Sequence, residues 1–221
     1  MSKIDFSKYQ TLIFDCDGVI LNSNQVKTKA FYNVAKIYGH QPAQALKDYH
    51  ILNGGISRYQ KFEYLLTKIL KKRIEMQELN MLLFSFSKEI KKALLICEVA
   101  ENIKELRVLT KNSKWLIVSG GDQVELRELF RKRKLDSHFD AGIFGSPNDK
   151  NQILKNEIYK GNIVGKSLFI GDSMYDYQAA KNADIDFVFL SKWTEESDWK
   201  RKFSNINVFM DLSELREQCI Q

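Results

Sequence analysis

Four short stretches of this 221-residue chain carry side chains able to do chemistry together. Asp15-Cys16-Asp17-Gly18 follows the apolar run Thr11-Leu12-Ile13-Phe14. Ser119-Gly120-Gly121 follows Trp115-Leu116-Ile117-Val118. Lys150 closes Pro147-Asn148-Asp149-Lys150 at the start of a helical pattern. Gly171-Asp172-Ser173, and then Asp176, follow the apolar run 167–170. Clustered carboxylates repel one another unless a cation sits among them. Oxygen donors without His or Cys favour Mg²⁺. One aspartate can act as a nucleophile toward phosphorus, and a second, two residues on, can move the proton of the leaving or attacking oxygen. Ser119 and Lys150 can hold phosphoryl oxygens. Gly18, Gly120 and Gly171 let backbone and its N–H groups come close to an anion. Together these residues describe a site for a divalent cation and a phosphoryl group. Each stretch alone has an ordinary structural explanation, as a turn, a helix cap or a solvated lysine. Their arrival in chain order, just after successive apolar runs, carries the reading.

The elements that must position them follow from pattern. Short apolar runs ending in polar groups read as buried parallel strands. After residue 98 the chain alternates. Helices are expected over 101–111, 124–134, 151–159 and 175–182. Strands are expected over 115–118, 141–144, 167–170 and 187–190, with a last strand at 207–210 before a C-terminal helix. That alternation predicts an α/β fold, a doubly wound, Rossmann-like parallel sheet that binds ligands at the carboxyl ends of its strands. Between 25 and 95 the signals are helical. Phe31, Val34, Ala35 and Tyr38 form one stripe. Phe62, Leu65, Leu66 and Ile69 form a second, and Leu79, Leu82, Leu83, Phe86 and Ile90 a third. Stripes at this spacing read as core packing. The expected division is a core of 1–19 and 97–221 and a helical insert of 20–96. Cys16, between the two aspartates, is expected to point away from them, because strand side chains alternate.

Charge narrows the partners. The chain carries a net +6, which invites nucleic acid, an anionic surface or a small anionic substrate. Residues 18–96 hold 13 Lys/Arg against 5 Asp/Glu, so the whole excess lies in the helical insert. The basic runs at 68–73, 88–92 and 131–134 sit on helices without interleaved aromatics and read as solvated faces. Neither nucleic acid nor membrane is an expected partner. Cys16, Cys97 and Cys219 are odd in number and widely spaced, which suggests free thiols in a reducing compartment. His40, His50 and His138 are scattered, which argues against a His-based zinc site. The first ten residues lack a secretory apolar region, and no run approaches 18 apolar residues. The expected location is the cytoplasm.

The four stretches resemble the motif set of the haloacid dehalogenase-like hydrolase superfamily: Phe14-Asp15-Cys16-Asp17-Gly18-Val19, Ile117-Val118-Ser119-Gly120, Lys150, and Gly171-Asp172-Ser173-Met174-Tyr175-Asp176. The insert resembles the helical caps of the phosphoglycolate phosphatase and β-phosphoglucomutase relatives. The resemblance implies that Asp15 is the nucleophile and a Mg²⁺ ligand. It implies that Asp17 is the general acid/base and a ligand through its backbone carbonyl. Asp172 would bind the metal, and Asp176 would support the metal shell or orient Lys150. Ser119 and Lys150 would hold the phosphoryl group. A second aspartate of this kind points to phosphoryl transfer rather than dehalogenation. The expectation is a Mg²⁺-dependent phosphatase acting on a small phosphorylated metabolite through an aspartyl-phosphate. The alternative is a sugar phosphomutase. It rests on Gly55-Ile56-Ser57-Arg58, which is similar to a Gly-Val-Ser-Arg stretch of phosphomutase-like caps. Gly55, Ser57, Arg58 and Gly120 are the expected substrate contacts, with Ser57 as a helix N-cap. A phosphonatase would need a cap lysine that forms a Schiff base, and the many cap lysines leave that open. Residues 195–221 carry no legible chemistry, and Trp193 and Trp199 read as packing.

Overall fold

The computed structural model describes residues 4–217, so Cys219 lies outside the described residues. Strand β1 (Thr11–Phe14) opens the sheet. The chain then leaves the sheet for helices α1 (Asn24–Ala35), α2 (His40–Leu52), α3 (Arg58–Tyr64) and α4 (Met76–Ile96). Helix α3 runs on as a π-helical stretch over Leu65–Ile69. The return begins with α5 (Ile103–Leu109). Strand and helix then alternate: β2 (Lys114–Asp122), α6 (Gln123–Lys132), β3 (Gly142–Ser146), α7 (Lys150–Tyr159), β4 (Ser167–Gly171), α8 (Met174–Asn182) and β5 (Asp186–Leu190). The chain ends with α9 (Trp199–Lys202), β6 (Asn207–Phe209) and α10 (Leu212–Glu217).

The six strands form one parallel sheet in the order β3-β2-β1-β4-β5-β6. Progress along the sheet reverses at β1, so the carboxyl end of β1 is the switch point where such sheets open a crevice. Alternation along the strands sorts the core into two layers. Leu12, Phe14, Trp115, Ile117, Leu168 and Ile170 face one side, packed on Phe130 and Phe139. Ile13, Leu116, Val118 and Phe169 face the other, packed on Ile153, Leu154, Ala179 and Ala180. Cys16 joins the Leu12–Phe14 layer, as expected, and burial pushes its thiol well above the usual range.

Helices α1 to α4 build a separate apolar cluster from the three stripes of the sequence. Phe31 sits at its centre, with ring centroids 4.3 Å from Phe86 and 5.4 Å from Phe62. Two element boundaries differ from expectation. The helix expected over 101–111 is shorter, because Thr110 turns its hydroxyl back onto the Leu106 carbonyl at 2.8 Å and Arg107 caps the Thr110 and Ser113 carbonyls. Strand β2 runs past Val118 through Ser119-Gly120-Gly121, which the sequence suggests is a turn. Its pairing with β3 shifts register between Val118 and Asp122, so the backbone there is extended but irregular. No helix among the described residues is long and apolar enough to cross a membrane.

Candidate active site

Asp15 leaves the end of β1 buried and held at one oxygen. Its Oδ1 accepts the Cys16 N–H at 2.7 Å and lies 3.0 Å from Lys150 Nζ. Lys150 is the first residue of α7 and is fully buried. The Asp149–Gln152 capping box just before it fixes where that helix begins, and so where the lysine points. Lys150 also meets Asp176 Oδ1. Asp176 sits in the first turn of α8, and its Oδ2 accepts Ser173 Oγ at 2.6 Å and the Ser173 N–H at 3.2 Å. Both Asp176 oxygens are therefore engaged, one on Lys150 and one on its own helix start. Ser119 is fully buried within β2, and its Oγ accepts the Gly121 N–H at 3.1 Å, leaving its hydroxyl proton to donate.

Asp172 accepts Asn24 Nδ2 at 2.7 Å on Oδ2, and its backbone oxygen accepts the Thr194 hydroxyl at 2.5 Å. Gly18 passes directly over it. A Cβ at position 18 would stand 1.9 Å from Asp172 Oδ2, and the backbone φ there is +78°. Only glycine meets both conditions.

Ligand atoms of Asp15, Asp172 and Asp176 lie within 4.8 Å of one another, all buried. Three carboxyl groups surround the one ammonium of Lys150, so full ionisation would leave two negative charges in excess in a buried site. Burial, then the Asp176 and Asp17 charges, push Asp15 up to about 7 in spite of Lys150. Burial and the Asp15 and Asp176 charges push Asp172 well above the carboxylate range. Lys150 is raised: its partners Asp15 and Asp176 outweigh its own burial. A divalent cation would remove this imbalance, and the hard oxygen donors suit one. Asp15 and Asp172 have lone pairs to offer it; Asp176 has already spent its oxygens on Lys150 and Ser173.

Asp17 stands apart from that cluster electrostatically. Its Oδ1 accepts the Ser23 hydroxyl at 2.5 Å, and its Oδ2 lies 2.5 Å from Lys27 Nζ. Burial alone would push Asp17 up, but Lys27 and Ser23 outweigh it and hold the carboxyl below the usual range.

A family model described as haloacid dehalogenase-like hydrolase matches residues 12–190, which include all six of these residues. The chain belongs to the haloacid dehalogenase-like hydrolases. It is 25% identical over 194 residues to a phosphorylated carbohydrates phosphatase of Thermotoga maritima, covering 81% of this chain and 84% of that protein. Among solved structures, a predicted phosphatase from Clostridium acetobutylicum superposes with a TM-score of 0.73 at 17% identity, covering 96% of this chain and 98% of that one. A predicted phosphoglycolate phosphatase from Haemophilus somnus superposes with a TM-score of 0.73 at 17% identity, covering 95% and 97%. At these identities the superpositions speak to the fold, which this hydrolase shares over nearly its whole length.

The loop ahead of α3 lies directly on the second motif of the hydrolase. A Cβ on Gly120 would stand 2.2 Å from the Gly55 carbonyl oxygen, so Gly120 is what lets the loop close. Gly55 also packs on Ser173 and Tyr175. Ser57 is the N-cap of α3, with its Oγ accepting the Gln60 N–H at 3.4 Å. Arg58, an expected substrate contact, has its charge engaged elsewhere. Its two terminal nitrogens meet Glu125 at 2.8 and 2.9 Å, and Nη2 lies 3.4 Å from Asp122. Arg58 thus ties α3 to the start of α6.

The cleft between helices and sheet has a volume of about 400 Å³ and is lined by residues that pattern reading missed. Asn24 and Lys27 line it from the first turn of α1. Thr28 reaches Glu195 at 2.6 Å, and Thr194 and Glu196 also reach the cleft wall. The segment after β5, which seemed empty of chemistry, therefore borders the site. Its signal was available: it follows a buried strand, as every other motif does.

Proposed function

We propose that this hydrolase is a Mg²⁺-dependent phosphatase that cleaves a small phosphate monoester, in the class of phosphorylated sugars and related metabolites, through an aspartyl-phosphate. The observation that carries this reading is the buried Asp15–Lys150–Asp176 chain, with Asp172 beside it, three carboxyl groups to one ammonium. The Thermotoga maritima relative supports the substrate class.

Asp15 attacks phosphorus. A bond forms between its carboxylate oxygen and phosphorus, and the bond from phosphorus to the ester oxygen breaks. Asp17 gives its proton to the departing alkoxide. In the second half it takes a proton from water, which attacks the same phosphorus and releases Asp15. Ser119 and Lys150 hold the equatorial oxygens, and Lys150 also keeps Asp15 aligned. A bound Mg²⁺, held by Asp15, Asp172 and the Asp17 carbonyl, would neutralise charge on the phosphoryl group. Before acting as an acid, Asp17 must take up a proton against the field of Lys27.

The phosphomutase alternative rested on Arg58, whose terminal nitrogens are engaged by Glu125 and Asp122. That engagement favours hydrolysis. The test is phosphate release from p-nitrophenyl phosphate and a sugar-phosphate panel, with isomer products measured alongside. Activity that survives Asp15→Asn or EDTA overturns the mechanism.

A further inference from the structure

One buried cation in the cleft has no counter-charge among the described residues. Lys150 has Asp15 and Asp176, Lys27 has Asp17, and Arg58 has Glu125 and Asp122. Lys61, in α3, is 1% exposed, lines the cleft and makes no ion pair among the described residues. Its Nζ meets His50 Nδ1 at 2.7 Å and lies 5.4 Å from the centre of the Phe31 ring. His50, on α2, is 7% exposed and also lines the cleft. Accepting from Lys61 at Nδ1 puts the imidazole proton on Nε2, and Nε2 has no partner among the described residues. Two buried polar groups that remain short of partners, on two helices of the insert, are costly unless something fills the gap.

We propose that Lys61 and His50 form a second anion subsite in the cleft, so that the substrate carries a compact anionic group, a carboxylate or a second phosphate, in addition to the phosphate that is cleaved. Lys61 supplies the charge, and His50 Nδ1 holds the ammonium in place at 2.7 Å. Lys61 is costly to keep charged: burial and then the repulsion of Lys27 and Lys150 bring it down to about 7, with Asp17 and Glu195 only partly offsetting them. A substrate anion would restore the charge. The insert's basic excess then has a definite use at one position: among the described residues, Lys61 is the buried insert cation in the cleft that no carboxylate neutralises, whereas Lys88 on the same cleft is exposed to solvent. Arg58, by contrast, is occupied by the protein itself.

This inference rests on the phosphatase reading, and its test separates the two. Wild-type enzyme is assayed on matched pairs that differ in the second anion: 3-phosphoglycerate against glycerol 3-phosphate, and a hexose 1,6-bisphosphate against the hexose 6-phosphate. The expected result is a preference of at least tenfold in kcat/KM for the doubly anionic member of one pair, with the pair identifying carboxylate or phosphate. In Lys61→Met the preference falls to within about twofold of unity, and in Lys61→Arg part of it returns. Equal handling of both pairs by wild type, or a preference that survives Lys61→Met, overturns the subsite. If no ester is hydrolysed, the phosphatase reading fails by itself. Calorimetric binding of the same four esters to wild type and Lys61→Met then decides the subsite: tighter binding of a doubly anionic ester that depends on Lys61 supports it, and equal binding overturns it.

Discussion

Lys27 Nζ lies 2.5 Å from Oδ2 of Asp17, joining the first helix of the insert to the aspartate proposed as general acid/base. Ser23 holds the other oxygen of the same carboxylate at 2.5 Å. The helix that begins the insert therefore sets both the place and the ionisation of Asp17.

Removing that ammonium should impair turnover more than binding. In Lys27→Met, Asp17 keeps Ser23 but loses its second anchor, and general acid/base catalysis contributes typically 10²–10⁴-fold. The expected loss is about 10–100-fold in kcat with KM within about threefold of wild type, measured by steady-state kinetics on p-nitrophenyl phosphate. An unchanged kcat, or a loss confined to KM, would show that Lys27 does not position Asp17.

The excess of carboxyl groups around Lys150 makes a prediction about stability without catalysis. Addition of Mg²⁺ at about ten times its dissociation constant should stabilise the fold by about 1.4 kcal/mol. For a chain of this size that is roughly 3–6 °C in Tm. Asp172→Asn should abolish the Mg²⁺ response and, without the ion, melt at or above the wild-type temperature, because it replaces a carboxyl that is costly to ionise beside Asp15 and Asp176 with a neutral amide. Differential scanning fluorimetry with and without EDTA reads both effects. A wild-type Tm indifferent to Mg²⁺ would disprove cation binding at this cluster.

The candidate-site ends of β1, β2 and β4 were legible because each sits where a buried apolar run stops, and strand geometry forces such ends onto one edge. Placing Asp15, Ser119 and Asp172 at that edge needed only that rule, whereas Lys150 depends on where α7 begins. The insert was legible as helices, because Phe31, Phe62 and Phe86 fall at helical spacing and pack together. Its contacts were not. Lys27, His50 and Lys61 come from three different helices, and only the packing of α1, α2 and α3 brings them to one cleft wall. Arg58 shows the same limit from the other side. Its type and place suggested an anion partner, but tertiary packing supplied Glu125 from α6, far along the chain.

Arg58 therefore predicts a structural effect. Arg58→Ala removes a buried guanidinium from Glu125 and Asp122 and from Ser87 at 3.0 Å. Glu125 is partly exposed and can recover water, so the expected cost is about 1–2 kcal/mol, or roughly 2–8 °C in Tm. Limited proteolysis between the insert and the core should accelerate in parallel. A variant with unchanged Tm and unchanged cleavage would return Arg58 to the role of substrate contact.

Lys61 predicts a pH dependence of the opposite sign to an ordinary ion pair. Its folded value of about 7 lies below the ordinary 10.5, so between these values the unfolded chain binds more protons than the folded one. The penalty for Lys61 is thus full below about pH 7 and fades as pH rises toward 10.5. The groups that set it are His50 at its side, Lys27 and Lys150 in repulsion, and Asp17 and Glu195 in partial compensation. Lys61→Met removes a penalty of about 4–5 kcal/mol at neutral pH. It leaves His50 Nδ1 without its partner, which costs about 1 kcal/mol in return. The net gain should raise Tm by roughly 6–16 °C at pH 7 and shrink steadily between pH 7 and 10. A variant destabilised at pH 7, or stabilised equally at both ends of that range, would mean that Lys61 is neutralised by a protein group and has no need of a ligand.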